Sequence, residues 1–386
     1  MKKKAISHHT IKNYNRKRIL TILLQRHEMT KQEIAQYTGI SFPTVTSNVK
    51  ALIREGLLKE GGVSSSTGGR RPQLVRFQPN SRFSLGVELQ LNKVRIILIN
   101  LAGEIHEDIA LPQTSFADVK TVIAAIASQT ESLLKKHGLS TTIILGIGFS
   151  LPGTVNDRRR LLELAPNLHV KDLDFSSFQS YFNFPIFIEN EANAAALAEL
   201  HFNSAENFHN MAFVSITYGV GVGLIFNRKL YRGKNKRAGE FGHMTIVKNG
   251  KRCACGRSGC WELYASERVL LEAYQAETSQ PASSLADYFS LLNSSQTQIQ
   301  KVWDNYLDYL ALGIQNIILG LDPHCVIIGG EISLYLEPWL DKLKEKIFVK
   351  NSFYQVKDVK VLTSQLGRDA SILGAAYLPI LNRLFT

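Results

Sequence analysis

The chemistry in this 386-residue chain gathers around one histidine and three cysteines. His243 ends the run Gly239-Glu240-Phe241-Gly242-His243, and ten residues later begins Cys253-Ala254-Cys255-Gly256-Arg257-Ser258-Gly259-Cys260-Trp261-Glu262. One imidazole and three thiolates make a closed tetrahedral donor set of the kind that holds Zn2+. With all four positions supplied by protein, the ion is expected to be structural, with no open site for water. Gly256 and Gly259 let the backbone fold around it, and Lys251, Arg252 and Arg257 offset thiolate charge. The fourth cysteine, Cys325, lies in an apolar stretch and is expected to be an inert core thiol. Three cysteines within eight residues, no export signal and no run of about 18 apolar residues together predict a cytoplasmic, metal-binding protein without a membrane partner.

The elements that position this centre are read from charge and periodicity. Residues 1–82 hold 16 basic and 4 acidic side chains, whereas the rest balance at 29 each, so the whole excess of +12 lies in one small segment. That segment should face a polyanion. In it, residues 12–26 place Ile19, Leu20, Ile22, Leu23 and Leu24 on one helical face behind Arg16, Lys17 and Arg18. Thr30 and Glu33 have capping-box spacing for a short second helix that ends near Gly39. Ser41 caps a third helix to about Glu55, with Val45, Val49, Leu52 and Ile53 inward. This is a helix-turn-helix. Its third helix offers Ser41, Thr44, Thr46, Ser47, Asn48 and Lys50 to double-stranded operator DNA. Residues 56–62 and 73–77 read as a two-stranded wing, and the Ser- and Gly-rich arm between them presents Arg70 and Arg71 to the minor groove or to phosphates.

From Phe83 the pattern becomes α/β. Leu85–Leu89, Val94–Asn100 and Glu104–His106 read as a strand meander, followed by a helix over Asp118–His137 and a buried strand over Ile143–Ser150. Pro185–Asn190 is a further strand leading into a helix from Glu191. The plan recurs with strands at Met211–Ile216 and Gly221–Phe226, a helix from about Ile299 to Leu319 and a strand at His324–Gly330. Two similar lobes predict a duplicated fold with a ligand cleft between them.

The Gly239–His243 and Cys253–Glu262 segments together resemble the signature of the ROK family (repressors, open reading frames and sugar kinases). Pro152-Gly153, Glu189-Asn190-Glu191-Ala192-Asn193-Ala194, Tyr218–Gly223, Ile328-Gly329-Gly330 and Leu373-Gly374-Ala375-Ala376 agree in order, so the resemblance spans roughly residues 83 to 386. The helix-turn-helix selects the repressor branch, where xylose-operon repressors are the most similar. The resemblance implies a winged helix-turn-helix at 1–78, with an arm at 63–72, joined to a two-lobed sugar-kinase/actin-like (ribonuclease H-like) fold. Its first lobe would be 83–189 plus 370–386, and its second lobe, with the zinc knot, 190–369. A monosaccharide would lie between the lobes on Gly153, Asn190, Glu191, Glu240, His243 and Glu262. His243 would then give one ring nitrogen to zinc and the other to a sugar hydroxyl.

Two departures separate the chain from the kinases of that family. They keep an Asp as general base where this chain has Glu191, one methylene longer. They also carry Asp-x-Gly-Gly-Thr where this chain reads Glu88-Leu89-Gln90-Leu91-Asn92, and without those glycines backbone amides cannot approach phosphates. ATP binding is therefore not expected, and the chain is read as a non-catalytic, sugar-responsive repressor that works as a homodimer or tetramer. The alternatives are a sugar kinase with a fused DNA-binding head and a repressor released by a protein partner.

Overall fold

The computed structural model describes residues 8–63, 72–90, 93–112, 118–203, 208–278, 284–292, 297–349 and 353–385. Arg70, Arg71, Leu91 and Asn92 lie outside them. The amino-terminal head consists of α1 (His8–Arg26), α2 (Lys31–Thr38) and α3 (Phe42–Arg54). A small antiparallel sheet closes it: β1 (Glu28–Thr30), β2 (Leu58–Val63) and β3 (Gln73–Phe77), in the order β1-β3-β2. Thr30 caps α2 in the expected capping box, accepting from the Glu33 amide while the Glu33 carboxylate accepts from the Thr30 amide at 2.7 Å. Gly39 ends α2 with φ 64°, the left-handed turn that the helix-turn-helix needs. Strand β1 was not expected, because three residues carry no periodicity. It exists because Met29 pairs with Val75 and is buried in the head.

Each lobe then follows the same chain plan. The first contains β4 (Phe83–Gln90), β5 (Lys93–Asn100) and β6 (Ile105–Pro112) as an antiparallel meander, then α4 (Val119–Lys136) and β7 (Ile144–Leu151). A side sheet of β8 (Thr154–Asn156), β9 (Leu161–Ala165) and β10 (Val170–Asp174) precedes β11 (Ile186–Asn190). Strands β4, β7 and β11 run parallel, in the order β11-β7-β4-β5-β6. The second lobe starts after α5 (Glu191–Phe202), with β12 (Met211–Ile216), β13 (Val220–Phe226) and β14 (Lys229–Leu230). Its helices α6 (Glu262–Ala265), α7 (Glu267–Thr278), α8 (Leu285–Leu292) and α9 (Thr297–Leu321) come before β15 (Cys325–Gly329). After it come α10 (Ser333–Leu336), α11 (Leu340–Ile347), β16 (Lys360–Thr363) and α12 (Ala370–Ile380). The order β14-β13-β12-β15-β16 mirrors that of the first lobe, so the expected duplication is real at the level of topology. The side sheet, α7, α8 and α11 escaped the sequence reading, and β6 runs six residues past His106 to Pro112. Cys325 is fully buried in β15, as expected of a core thiol.

Two helices tie the lobes together by exchange. Helix α5 leaves the first lobe and packs on β12 and β13 of the second, whereas α12 leaves the second lobe and packs on β4 and β7 of the first. They meet along alanines, and the crossing is so close that a Cβ on Gly374 would lie 1.8 Å from the Ala194 carbonyl. The head also packs against the first lobe. Its buried residues Leu20, Val75 and Phe77 form one cluster with Ile97 and Ile99 of β5 and with Tyr377 and Ile380 of α12. The Arg82 guanidinium donates to the Glu55 carbonyl at 2.9 Å, and the Leu101 amide to the Pro79 carbonyl at 3.0 Å.

Candidate metal centre, sugar cleft and DNA-reading head

The metal segment is pressed onto β13. Gly239 takes φ 96°, and a Cβ there would lie 1.9 Å from the Val222 carbonyl, so only glycine lets the following turn, Glu240–His243, sit where it does. The chain then forms a knot through the bridges Thr245–Cys260 and Arg252–Ser258 and the Cys253 amide donating to the Arg257 carbonyl at 2.9 Å. Buried Trp261 anchors this knot to α9, its indole N–H donating to the Tyr309 carbonyl at 2.9 Å.

Inside the knot, the ligand atoms of His243, Cys253, Cys255 and Cys260 all lie within 4.8 Å of one another. Cys253 Sγ is 3.6 Å from His243 Nδ1, and Cys255 Sγ is 3.6 Å from Cys260 Sγ. Tetrahedral zinc with bonds of about 2.3 Å to sulfur and about 2.0 Å to nitrogen requires S···S of about 3.8 Å and S···N of about 3.5 Å. These two pairs match that spacing, and the set of four donors is close enough to gather around such an ion. The three cysteines form no disulfide. Nδ1 faces the thiolates, which leaves Nε2 of His243 turned toward Glu240, 3.9 Å away. Glu262 Oε1 stands 3.2 Å from Nδ1 and 3.0 Å from Cys253 Sγ. A hydrogen bond from the His243 ring to the Glu262 carboxylate holds the imidazole above its ordinary pKa, and burial pushes the Cys253 thiol up. Glu240, His243 and Glu262 thus sit together around one knot, as the sequence placed them.

On the other side, Asn190 ends β11 and caps α5. Its Oδ1 accepts from the amides of Ala192 at 3.0 Å and Asn193 at 3.2 Å, and its Nδ2 donates to the Gly153 carbonyl at 2.8 Å. That leaves one amide N–H for a ligand. Glu191, the first residue of α5, accepts from the Thr217 hydroxyl at 3.3 Å. Burial, and then the nearby Glu88 carboxylate, push its pKa up to about 7. Residues 217–219 link both groups, since Thr217 holds Glu191 and a Cβ on Gly219 would lie 3.0 Å from Glu262 Oε2. In place of phosphate-loop glycines, buried Glu88 accepts from Gln90 Nε2 at 3.0 Å, and Ser150 and Ser371 share a hydrogen bond of 2.5 Å.

Sequence reasoning missed a set of ion pairs that straps the 231–239 segment to the first lobe. Arg232 makes two hydrogen bonds to Glu189, at 2.6 and 2.7 Å, and lies 3.5 Å from Asp157. Lys236 reaches Asp157 at 2.6 Å and Arg237 reaches Glu163 at 3.1 Å. The basic run from Arg232 to Arg237 just before Gly239 was the available signal.

In the head, Ser41, Ser47 and Lys50 are exposed and Thr44 and Thr46 half-buried. Asn48 corrects the expectation. It is 6% exposed, and its amide donates to the Thr44 carbonyl at 2.8 Å, because it sits beside Val49 on the inward side of α3. Ser41 stands at the cap position of α3, but its hydroxyl pairs with that of Thr44 at 2.8 Å instead of with a backbone amide. Phe42, passed over in the sequence, is 53% exposed at the tip of α3.

The comparisons with known proteins agree with this architecture. Residues 84–380 match the ROK family, and residues 12–59 match a winged helix-turn-helix DNA-binding family. A xylose repressor from Bacillus spizizenii is 33% identical over 373 residues, covering 96% of each chain. A glucokinase from Halalkalibacterium halodurans is 27% identical over 315 residues, covering 78% of this chain and 95% of its own. Among solved structures, a ROK family transcriptional regulator, a homologue of the Escherichia coli MLC protein, superposes with a TM-score of 0.81 at 24% identity over 97% of this chain and 96% of that one. Signature, duplicated topology and family match converge: the chain belongs to the ROK family.

Proposed function

We propose that this protein is a transcriptional repressor that binds operator DNA through its winged head and responds to a monosaccharide, with xylose the first candidate. The observation that carries this reading is likeness to a xylose repressor across both head and ROK domain, over 96% of both chains. Zinc on His243, Cys253, Cys255 and Cys260 holds the knot, and Glu240, Glu262 and the free nitrogen of His243 hydrogen-bond sugar hydroxyls from the second lobe. Gly153, Asn190 and Glu191 complete the site from the first, and the homodimer sets two heads at a fixed spacing. The arm with Arg70 and Arg71 adds contacts to phosphates or the minor groove. Sugar binding moves the lobes about α5 and α12. Because α12 runs from that crossing to the head, the movement changes operator affinity, provided the sugar prefers the conformation that binds DNA less well.

The kinase alternative rests on the glucokinase relative. Two features disfavour it: Glu191 stands where the kinases keep a shorter Asp as general base, and Glu88-Leu89-Gln90-Leu91-Asn92 takes the place of their glycine loop, with Gln90 bonded back to Glu88. The reading is tested by measuring operator binding of the full-length protein with xylose, other pentoses and hexoses at millimolar concentration, beside a coupled kinase assay on the same sugars. Operator release by a sugar without turnover is the expected result. Turnover typical of sugar kinases would reject it.

A further inference from the structure

The tip of α3 poses a recognition problem. Specific reading of guanine or adenine is usually done by Arg, Lys, Asn or Gln making two hydrogen bonds to one base edge. Between Ser41 and Ser47 there is no such side chain, and Asn48, the one amide nearby, is folded inward onto the Thr44 carbonyl. The first cation on the helix is Lys50, two turns in. The hydroxyls of Ser41 and Thr44 are bonded to each other at 2.8 Å. What the tip does present is apolar: Phe42, 53% exposed, and the exposed ring of Pro43 beside it. Phe42 lies one turn ahead of Val45, Val49 and Leu52, all fully buried, so it continues the inward stripe past the point where the core stops. Half of a phenyl ring is thereby left in water at the position where a helix-turn-helix meets base edges.

The geometry points to Phe42 as a base-reading residue that recognises the 5-methyl group of a thymine in the major groove. This methyl is the one apolar feature the groove offers, and it distinguishes thymine from every other base. The inference rests on the DNA-binding reading above and deepens it by naming what the helix tip reads. Pro43 has no N–H to donate and widens the apolar surface, and Ser47, one turn further on, remains available for a neighbouring base or phosphate.

The test uses the full chain. A preferred duplex is selected in vitro from a random pool, and each dT is then replaced singly by dU, which removes only the methyl. For the native protein, Kd should rise about fourfold at one or two positions in each half-site, the equivalent of about 0.8 kcal/mol for one methyl-sized group. Phe42→Ala should bind the thymine duplex several-fold more weakly and lose nothing further on dU substitution. Phe42→Leu, a smaller apolar group on the same exposed site, should keep part of the dT/dU difference and guards against a folding defect in the alanine variant. A native protein indifferent to dU at every position, or a Phe42→Ala protein as dU-sensitive as the native one, would overturn the inference while leaving DNA binding intact. Failure to select any sequence would instead sink the DNA-binding reading, and this inference with it.

Discussion

Replacing Arg232 with Ala probes the strap between the lobes. Glu189 is 1% exposed, and Arg232 supplies both of its charged hydrogen bonds. Burial pushes the Glu189 carboxyl above its ordinary range, and Arg232 pulls it back. Without Arg232, the carboxylate keeps only neutral donors, Asn193 Nδ2 and its neighbour's amide, each at 3.0 Å. Removing one partner of a buried pair costs about 3–5 kcal/mol, and the two remaining hydrogen bonds favour the lower figure. For a unit of lobe size that is about 6–12 °C in Tm. Glu189 can escape by protonating. With its folded pKa raised above the unfolded value, the penalty is present at pH 7 and shrinks as pH falls toward 5, so the variant should regain stability on acidification relative to the native protein. Glu189→Gln added to Arg232→Ala should restore most of the loss at pH 7, since an amide carries no charge to strand. Thermal unfolding of the three proteins at pH 7 and pH 5 decides. A Tm within about 1 °C of native for Arg232→Ala, or no recovery in the double variant, would refute the reasoning.

Cys255→Ala should lose bound zinc by elemental analysis and weaken the sugar response, since Glu240 and Glu262 flank the same knot; unchanged zinc content would contradict the four-ligand assignment. Glu191→Gln should raise stability at pH 7 by about 2 kcal/mol more than at pH 5, because a carboxyl with pKa about 7 in the folded protein costs stability increasingly as the unfolded chain ionises above its ordinary value. Parallel curves for the two proteins from pH 5 to 8 would count against it. Asn48→Ala should cost about 1–2 kcal/mol of head stability through its lost bond to the Thr44 carbonyl, whereas Ser47→Ala should leave unfolding unchanged and weaken DNA binding. Arg70→Ala with Arg71→Ala should lower the slope of log Kd against log salt by about 1–2 if both meet phosphates, and an identical slope would place the arm away from DNA.

The sequence revealed most where local chemistry is closed on itself. The His243, Cys253, Cys255 and Cys260 cluster, which could hold a metal, and the Thr30–Glu33 capping box each sit within a short stretch of chain, so residue type and spacing suffice. The duplicated sheets were visible because their central strands are buried on both faces and read as unbroken apolar runs. What escaped depends on distant partners. Nothing near Asp157, Glu163 or Glu189 announces Arg232, Lys236 and Arg237, between 43 and 79 residues away. Asn48 misled because a polar side chain on an amphipathic helix defaults outward, and only its hydrogen bond to Thr44 makes burial tolerable. Phe42 was passed over for the opposite reason, since an apolar residue beside a capping position is normally assigned to the core.

The seam between head and first lobe has a consequence for how such proteins can be taken apart. Leu20, Val75 and Phe77 share one apolar cluster with Ile97, Ile99, Tyr377 and Ile380, so the core of the head is continuous with that of the lobe. Cutting the chain at about residue 78 would remove Leu20, Val75 and Phe77 from that cluster and uncover apolar surface on its lobe side, which favours aggregation. A ROK chain without a head must carry polar residues there or cover the face in some other way. Grafting this head onto such a chain would require the sheet and the last helix to be resurfaced with it.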